Sequence, residues 1–240
     1  MESLRRIICA GSRMSPEVQC SFLQYIHKNC RVLQVWGTTE TGWLTLTPDT
    51  ELNRIGSVGR LAANTKLKLV AGDGTAITEE GVEGEALVKS SSMMLCYRDN
   101  PFANETAFDP AGYYRTGDRV SYRDGRVFVE GRIKDVMKVK GWQVSPEELE
   151  EKLLTHPKVL DCAVVRITTR DSAGLEQTRP RAYVVGSQGV DADDLSVFMR
   201  ERVVSYKQFT GGIIFVDSIP RNPSGKILRR TLLDRDTTQS

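Results

Sequence analysis

Apolar residues fall in short runs along the chain, and their spacing changes twice. Near the start, "LRRIICAG" and "RVLQVWG" read as short strands ending in glycine. Between them "SPEVQCSFLQYIHKN" opens on Ser-Pro and sets Val18, Phe22, Leu23 and Ile26 at helical spacing. A strand-helix-strand unit predicts a parallel sheet covered by helix, with ligands at the carboxyl ends of its strands. The loops after Cys9 and Val35 are therefore candidate site loops.

From about Thr47 to Glu130 the pattern turns to short strands: "TKLKLV", "EGEALVKS", and the pair "RVSY" and "RVFVEG" around Asp124-Gly125, a strong hairpin signal. That predicts a small antiparallel or barrel-like subdomain. After Gly131 the order is mixed: "KDVMKVKG", a helix "SPEELEEKLLTHP", strands "VLDCAVVRI" and "RAYVVG", a helix "DADDLSVFMRERV", a strand "GGIIFVD" and a terminal helix. Ser145 with Glu148 forms the pattern of a capping box at the first of these helices. The expected architecture is an α/β unit with a small β subdomain, followed by a compact α+β domain. No internal repeat or low-complexity tract interrupts it.

Composition narrows the function classes. The chain has 240 residues, 40% hydrophobic and 27% charged, with a formal net charge of +2, enough for one large or two small cored domains. So small a positive balance argues against a nucleic-acid binder. Cys9, Cys20, Cys30, Cys96 and Cys162 are odd in number and form no CxxC pair, so neither a disulfide framework nor a zinc site is expected. No window offers the roughly 18 apolar residues of a membrane span, and the arginines near the start stand where a signal peptide needs an apolar run. A soluble, cytoplasmic protein is expected. The ending "DTTQS" lacks the Ser-Lys-Leu type address of peroxisomal proteins.

Four stretches carry candidate chemistry. In "QVWGTTETG", Gly37, Thr38 and Thr39 can hold phosphate oxygens and Glu40 a Mg²⁺ ion, while Trp36 offers a flat face for a base; the stretch reads equally as a polar turn beside a core tryptophan. In "GYYRTGD", Asp118 suits paired ribose hydroxyls or is a simple turn aspartate. In "GRIKDVMKVKGWQVSPEELEE", strand alternation would set Arg132, Lys134, Lys138 and Lys140 on one face, as an anion site or a lysine-protected edge. In "PRNPSGKILRR", Lys226 follows a Pro-Ser-Gly turn; the plain reading is a helix capped by Ser224 whose Lys and Arg dress a solvated face. His27 and His156 lie in helix-end contexts, and no histidine-based catalytic motif is present.

Read in order, "QVWGTTETG", "GEALVKSSSMMLCY", "GYYRTGD", "GRIKDVMKVKGWQVSPEELEE" and "PRNPSGKILRR" resemble the motif series of the adenylate-forming superfamily, with the pattern of 4-coumarate-CoA ligases, acyl-CoA synthetases and beetle luciferases. The resemblance implies an acid-thiol ligase that makes an acyl-adenylate from a carboxylic acid and MgATP, then turns its small C-terminal domain to admit coenzyme A. It implies ATP, Mg²⁺ and coenzyme A as cofactors and a small carboxylic acid as substrate. By the same resemblance Trp36 flanks the adenine, Gly11 and Ser12 form the other side of that slot with Arg13 in place of a common Pro, and Gly37, Thr38 and Thr39 meet the phosphates. Glu40 takes the Mg²⁺ position, and Asp118 and Arg132 the ribose contacts. Lys134 falls at the hinge between residues 1–131, the end of the large domain, and residues 132–240, the mobile domain. Lys138, Gln143, Lys140, Gly141 and Trp142 match the loop serving thioester formation and coenzyme A, and Lys226 the adenylation lysine. Nothing like "SGTTGxPKG" occurs, so the chain looks like the C-terminal portion of such an enzyme. That portion would expose sheet edge and apolar faces, and so implies an N-terminal-half partner or self-association. A non-catalytic nucleotide- or CoA-binding fragment is the alternative.

Overall fold

The computed structural model describes residues 3–48, 51, 54–170, 174–223 and 225–238, with residues 235–238 described through their backbone alone. The chain divides between Lys134 and Asp135 into two compact units. Among the described residues no helix is long and apolar enough to cross a membrane.

The first unit opens with parallel strands Arg6–Cys9 and Arg31–Gln34, joined through the helix Pro16–Leu23. Ser15 caps the helix, its Oγ accepting from the Val18 amide at 3.2 Å, and Pro16 takes the first turn, where its missing N–H costs nothing. Of the expected apolar stripe, Phe22, Leu23 and Ile26 are half-buried, whereas Val18 is 43% exposed. The fully buried position on that face is Gln19, whose carboxamide oxygen accepts from Gln34 Nε2 at 3.1 Å and from the Gly56 amide at 2.9 Å. A satisfied polar pair thus sits beside the half-buried apolar residues of that face.

The small β subdomain is a five-stranded antiparallel sheet, in the order Arg126–Arg132, Tyr114–Arg123, Gly84–Lys89, Lys66–Val70 and Ala76–Ile77. The Asp124-Gly125 hairpin forms as expected, both residues at positive φ (50° and 71°), the demand of a two-residue turn. Leu44, Val58, Leu69, Val88, Val120 and Val127 fill the core beneath, with Trp36 and Tyr114.

In the second unit, strands Val159–Arg170 and Glu176–Gly186 form a long antiparallel pair, and Ile213–Phe215 adds in parallel beside Ala182–Val184. The sheet is buried on both faces, which is why "CAVV" is apolar without alternation. Cys162 and Val164 face the helices Pro146–Leu154 and Ala192–Arg200 through Leu149, Leu153, Leu195 and Met199. Ala163 and Val165 face Leu232 of the terminal helix Arg229–Thr238. A register shift between Val159 and Asp161 lets Val159, three residues before Cys162, join the same face. The capping box does not form: Ser145 Oγ donates to Glu147 at 2.7 Å, and Glu148 is taken by Lys207, 2.5 Å away.

Candidate functional site

Cys9 and Gln34 are register partners, so the turn carrying Gly11 and Ser12 and the turn carrying Trp36 leave the same end of the parallel pair. Gly11 (φ 91°) and Ser12 are exposed. Beyond Trp36 the chain folds back at once, Gly37–Thr38 pairing with Gly42–Trp43. Thr41, fully buried, organises this turn: its Oγ1 accepts from the Thr38 amide at 3.1 Å, lies 3.0 Å from the Thr38 hydroxyl and donates to the Gly42 carbonyl at 3.1 Å. Gly37 and Thr39 are left exposed.

Glu40 sits in this turn with Tyr97 donating to its Oε1 at 2.9 Å, and the Tyr97 hydroxyl lies 3.1 Å from that of Tyr114. Burial works against its charge, but its own backbone N–H, the Tyr97 and Thr38 hydroxyls and the Arg132 charge outweigh it, holding the carboxyl below its ordinary range. Glu40 is an anion at neutral pH. Burial, with Tyr97 and Glu40 behind it, pushes the Tyr114 phenol far up, so it remains a neutral hydrogen-bonding group.

Asp118 is buried on the strand that follows. Thr116 shapes its approach, its hydroxyl donating to the Ala86 carbonyl at 2.8 Å and accepting from the Asp118 amide at 3.0 Å. Asp118 Oδ2 accepts from the Trp36 indole at 2.8 Å, and Oδ1 faces Arg132 Nε at 3.1 Å across the strand pair. A Trp36–Asp118–Arg132 ladder results, and Trp36 itself is core. Asp118→Ala would strand a buried indole donor, at a cost of about 2 kcal/mol. Urea denaturation should show that loss, with Asp118→Asn, which keeps an acceptor, falling by less; equal losses would mean the indole bond contributes nothing.

The predicted single-faced lysine row, whose Arg132 and Lys134 belong to the first unit and Lys138 and Lys140 to the second, is corrected. The strand ends at Arg132, Lys134 lies in a 3₁₀ turn Ile133–Asp135, and Lys138 starts afresh on a small hairpin of Met137–Val139 with Trp142–Val144. Alternation cannot run through a helical turn and a tight reversal. Lys140 (φ 49°) and Gly141 (φ 88°) form the reversal, and Lys138 stands opposite Gln143, both exposed. Trp142 stacks on Tyr206 at 5.1 Å with 12° between ring planes.

The terminal helix starts at Arg229, so Lys226 precedes it on a tight loop rather than within it; Ser224 lies outside the described residues. Lys226 is exposed. Arg229 is no surface residue: it donates to both oxygens of Glu150, to Glu147 at 3.4 Å and to the Val164 carbonyl at 2.9 Å. Burial pushes the Glu150 carboxyl up, with Arg229 pulling against it, while the paired carboxylates keep Arg229 fully charged. Tyr97, Tyr114 and Arg229 were all within the quoted motifs, yet no spacing rule marks a partner so far along the chain; Thr41, whose side-chain partners lie one to three residues away, stood inside "QVWGTTETG" and was passed over.

Residues 1–98 match the family profile described as AMP-binding enzyme, and residues 148–226 the one described as AMP-binding enzyme C-terminal domain. The chain belongs to the AMP-binding enzymes. Phenylacetyl-CoA ligase epaB of Aspergillus niger is 38% identical over 240 residues, covering 98% of this chain and 44% of the relative. Peroxisomal OPC-8:0-CoA ligase 1 of Arabidopsis thaliana is 35% identical, covering all of this chain and 44% of the relative. Among solved structures, o-succinylbenzoate coenzyme A synthetase of Bacillus subtilis in complex with AMP matches with a TM-score of 0.79 at 29% identity, over 97% of this chain and 46% of that one. This AMP-binding enzyme chain thus spans less than half the length of these relatives, and its mixed architecture is that of the adenylate-forming fold.

Proposed function

We propose that the chain supplies the ribose- and metal-side contacts and the mobile C-terminal domain of an acid-thiol ligase. Such an enzyme joins a small carboxylic acid to ATP as an acyl-adenylate, releases pyrophosphate, and passes the acyl group to coenzyme A. The observation that carries the proposal is the Trp36–Asp118–Arg132 ladder in the unit that also holds ionised Glu40.

In this reading Asp118 and Arg132 hold the ribose, Trp36 fixes the Asp118 carboxylate at the adenine end, and Gly11 with Ser12 closes that slot. Gly37, Thr38 and Thr39 lie along the phosphates. A single ionised carboxylate suits Mg²⁺, which takes one or two carboxylates and fills its shell with water and phosphate oxygens; Glu40 would hold it. The ion would offset charge on the phosphates. Carboxylate attack on the α-phosphate builds charge on non-bridging oxygens, and the Lys226 ammonium stabilises it. Lys134 is the hinge between residues 1–131 and 132–240. Lys138 and Gln143 then serve the thioester step, with Lys140, Gly141 and Trp142 toward coenzyme A.

The chain would need an upstream half to position the leaving pyrophosphate. Purified chain with MgATP, coenzyme A and a panel of acids including phenylacetate should release little pyrophosphate alone and recover release when the upstream half of a relative is added. Ordinary ligase turnover by the chain alone would refute that dependence. The second reading, nucleotide binding without chemistry, predicts thermal stabilisation by AMP and no acyl-CoA even after that addition.

A further inference from the structure

Lys226 sits in a loop that closes on itself. Arg221 and Ile227 form an antiparallel bridge, the Asn222 amide donates to the Lys226 carbonyl at 2.9 Å, and the Lys226 amide donates to Asn222 Oδ1 at 2.8 Å. The Gly225 amide donates to the Asn222 carbonyl at 2.9 Å, and the Leu228 amide to the Pro220 carbonyl at 2.8 Å. Such small loops are ordinarily among the first parts of a fold to open. This one is tied down from outside. Arg221 Nη2 forks onto Asp161, at 2.8 and 3.1 Å, while its Nη1 donates to the Gly225 carbonyl at 2.9 Å. Asp161 is itself held, its Oδ1 accepting from the Cys162 amide at 2.9 Å. On the other side of the lysine, Arg229 grips Val164 of the same strand.

We propose that Arg221 is a positioning residue for Lys226. Its guanidinium fastens the loop to the strand at Asp161 and, through Gly225, fixes the peptide that precedes the lysine. A planar fork with donors on separate nitrogens can do both at once, whereas a lysine at this position could not. Asp161 is the necessary partner. The inference rests on the reading of Lys226 as the adenylation lysine.

The test compares Arg221→Ala, Asp161→Asn and the double variant in the full chain, by amide hydrogen exchange and by thermal melting. The pair is half exposed, so the melting temperature should move by no more than about 3 °C. The amides of Gly225 and Lys226 should exchange about tenfold faster in each single variant and no faster in the double. Unchanged exchange at those amides in both single variants overturns the proposal. With the upstream half added, Arg221→Ala should lower acid-dependent pyrophosphate release while leaving thioester formation from a supplied acyl-adenylate intact. If Lys226→Ala abolishes release but Arg221→Ala does not touch it, the positioning role is overturned. If Lys226→Ala itself changes nothing, the adenylation reading fails, and the exchange data alone judge the loop.

Discussion

Arg229→Ala should destabilise the second unit by about 3–5 kcal/mol, because it leaves Glu150 buried without its counter-charge. Glu150 is 8% exposed, accepts from the Val164 amide at 2.6 Å and lies within a hydrogen bond of Arg229 through both oxygens. The loss should depend on pH. In the variant, burial acts on Glu150 unopposed by Arg229, so its carboxyl titrates higher in the folded chain than in the unfolded one. The folded state then binds more protons, stability falls as pH rises through that window, and the deficit is larger at pH 7 than at pH 5. Urea titrations at the two pH values measure it. A deficit below about 1 kcal/mol, or one that grows on acidification, would show that the pair is not what holds the helices and strand together.

Gly37→Ala should cost the first unit about 3 kcal/mol, the upper end for overpacking, since a Cβ there would stand 2.1 Å from the Gly42 carbonyl oxygen and 3.0 Å from Trp43 Cα. Both obstacles are backbone and cannot rotate aside. The turn carrying Thr38, Thr39 and Glu40 would have to open. Gly117→Ala makes the control: at φ 67° with nothing within 4 Å, it meets only torsional cost, about 1 kcal/mol. Urea denaturation followed by tryptophan fluorescence should rank Gly37→Ala well below Gly117→Ala; the reverse order would mean the reversal at Gly37 is loosely packed.

Elements whose information is local were legible. The Ser15-Pro16 helix start, the Asp124-Gly125 turn and the apolar strand "CAVV" each carry their cause within a few residues. The hairpin at Lys140-Gly141 was not, because lysine is no turn former and the alternation of charges suggested one unbroken strand. The long pair of the second unit extends to Arg170 and back from Glu176, well past the apolar run, and it includes Pro180 opposite Arg166. Proline and a polar sequence hide a strand whose pairing, not its own pattern, holds it. At the site, types of residue were readable from the motifs, but their partners were not. Trp36 and Asp118, or Arg229 and Glu150, are separated by most of a domain, and only folding makes them neighbours.

One extra residue near Leu160 decides more than its own position. Because each face of the strand Val159–Arg170 packs a different set of neighbours, the shift there is what lets Val159 and Cys162, three residues apart, lie in the same helix-facing core. Excising that residue would leave plain alternation, with Val159, Cys162 and Val164 still on the helix side and Ala163 and Val165 still facing the terminal helix, because the unbroken ladder from Asp161 to Arg170 holds them. The anchorage of Arg221, and with it of the Lys226 loop, is thus set by the long ladder that begins at Asp161, while the extra residue only brings Val159 onto the helix-facing wall.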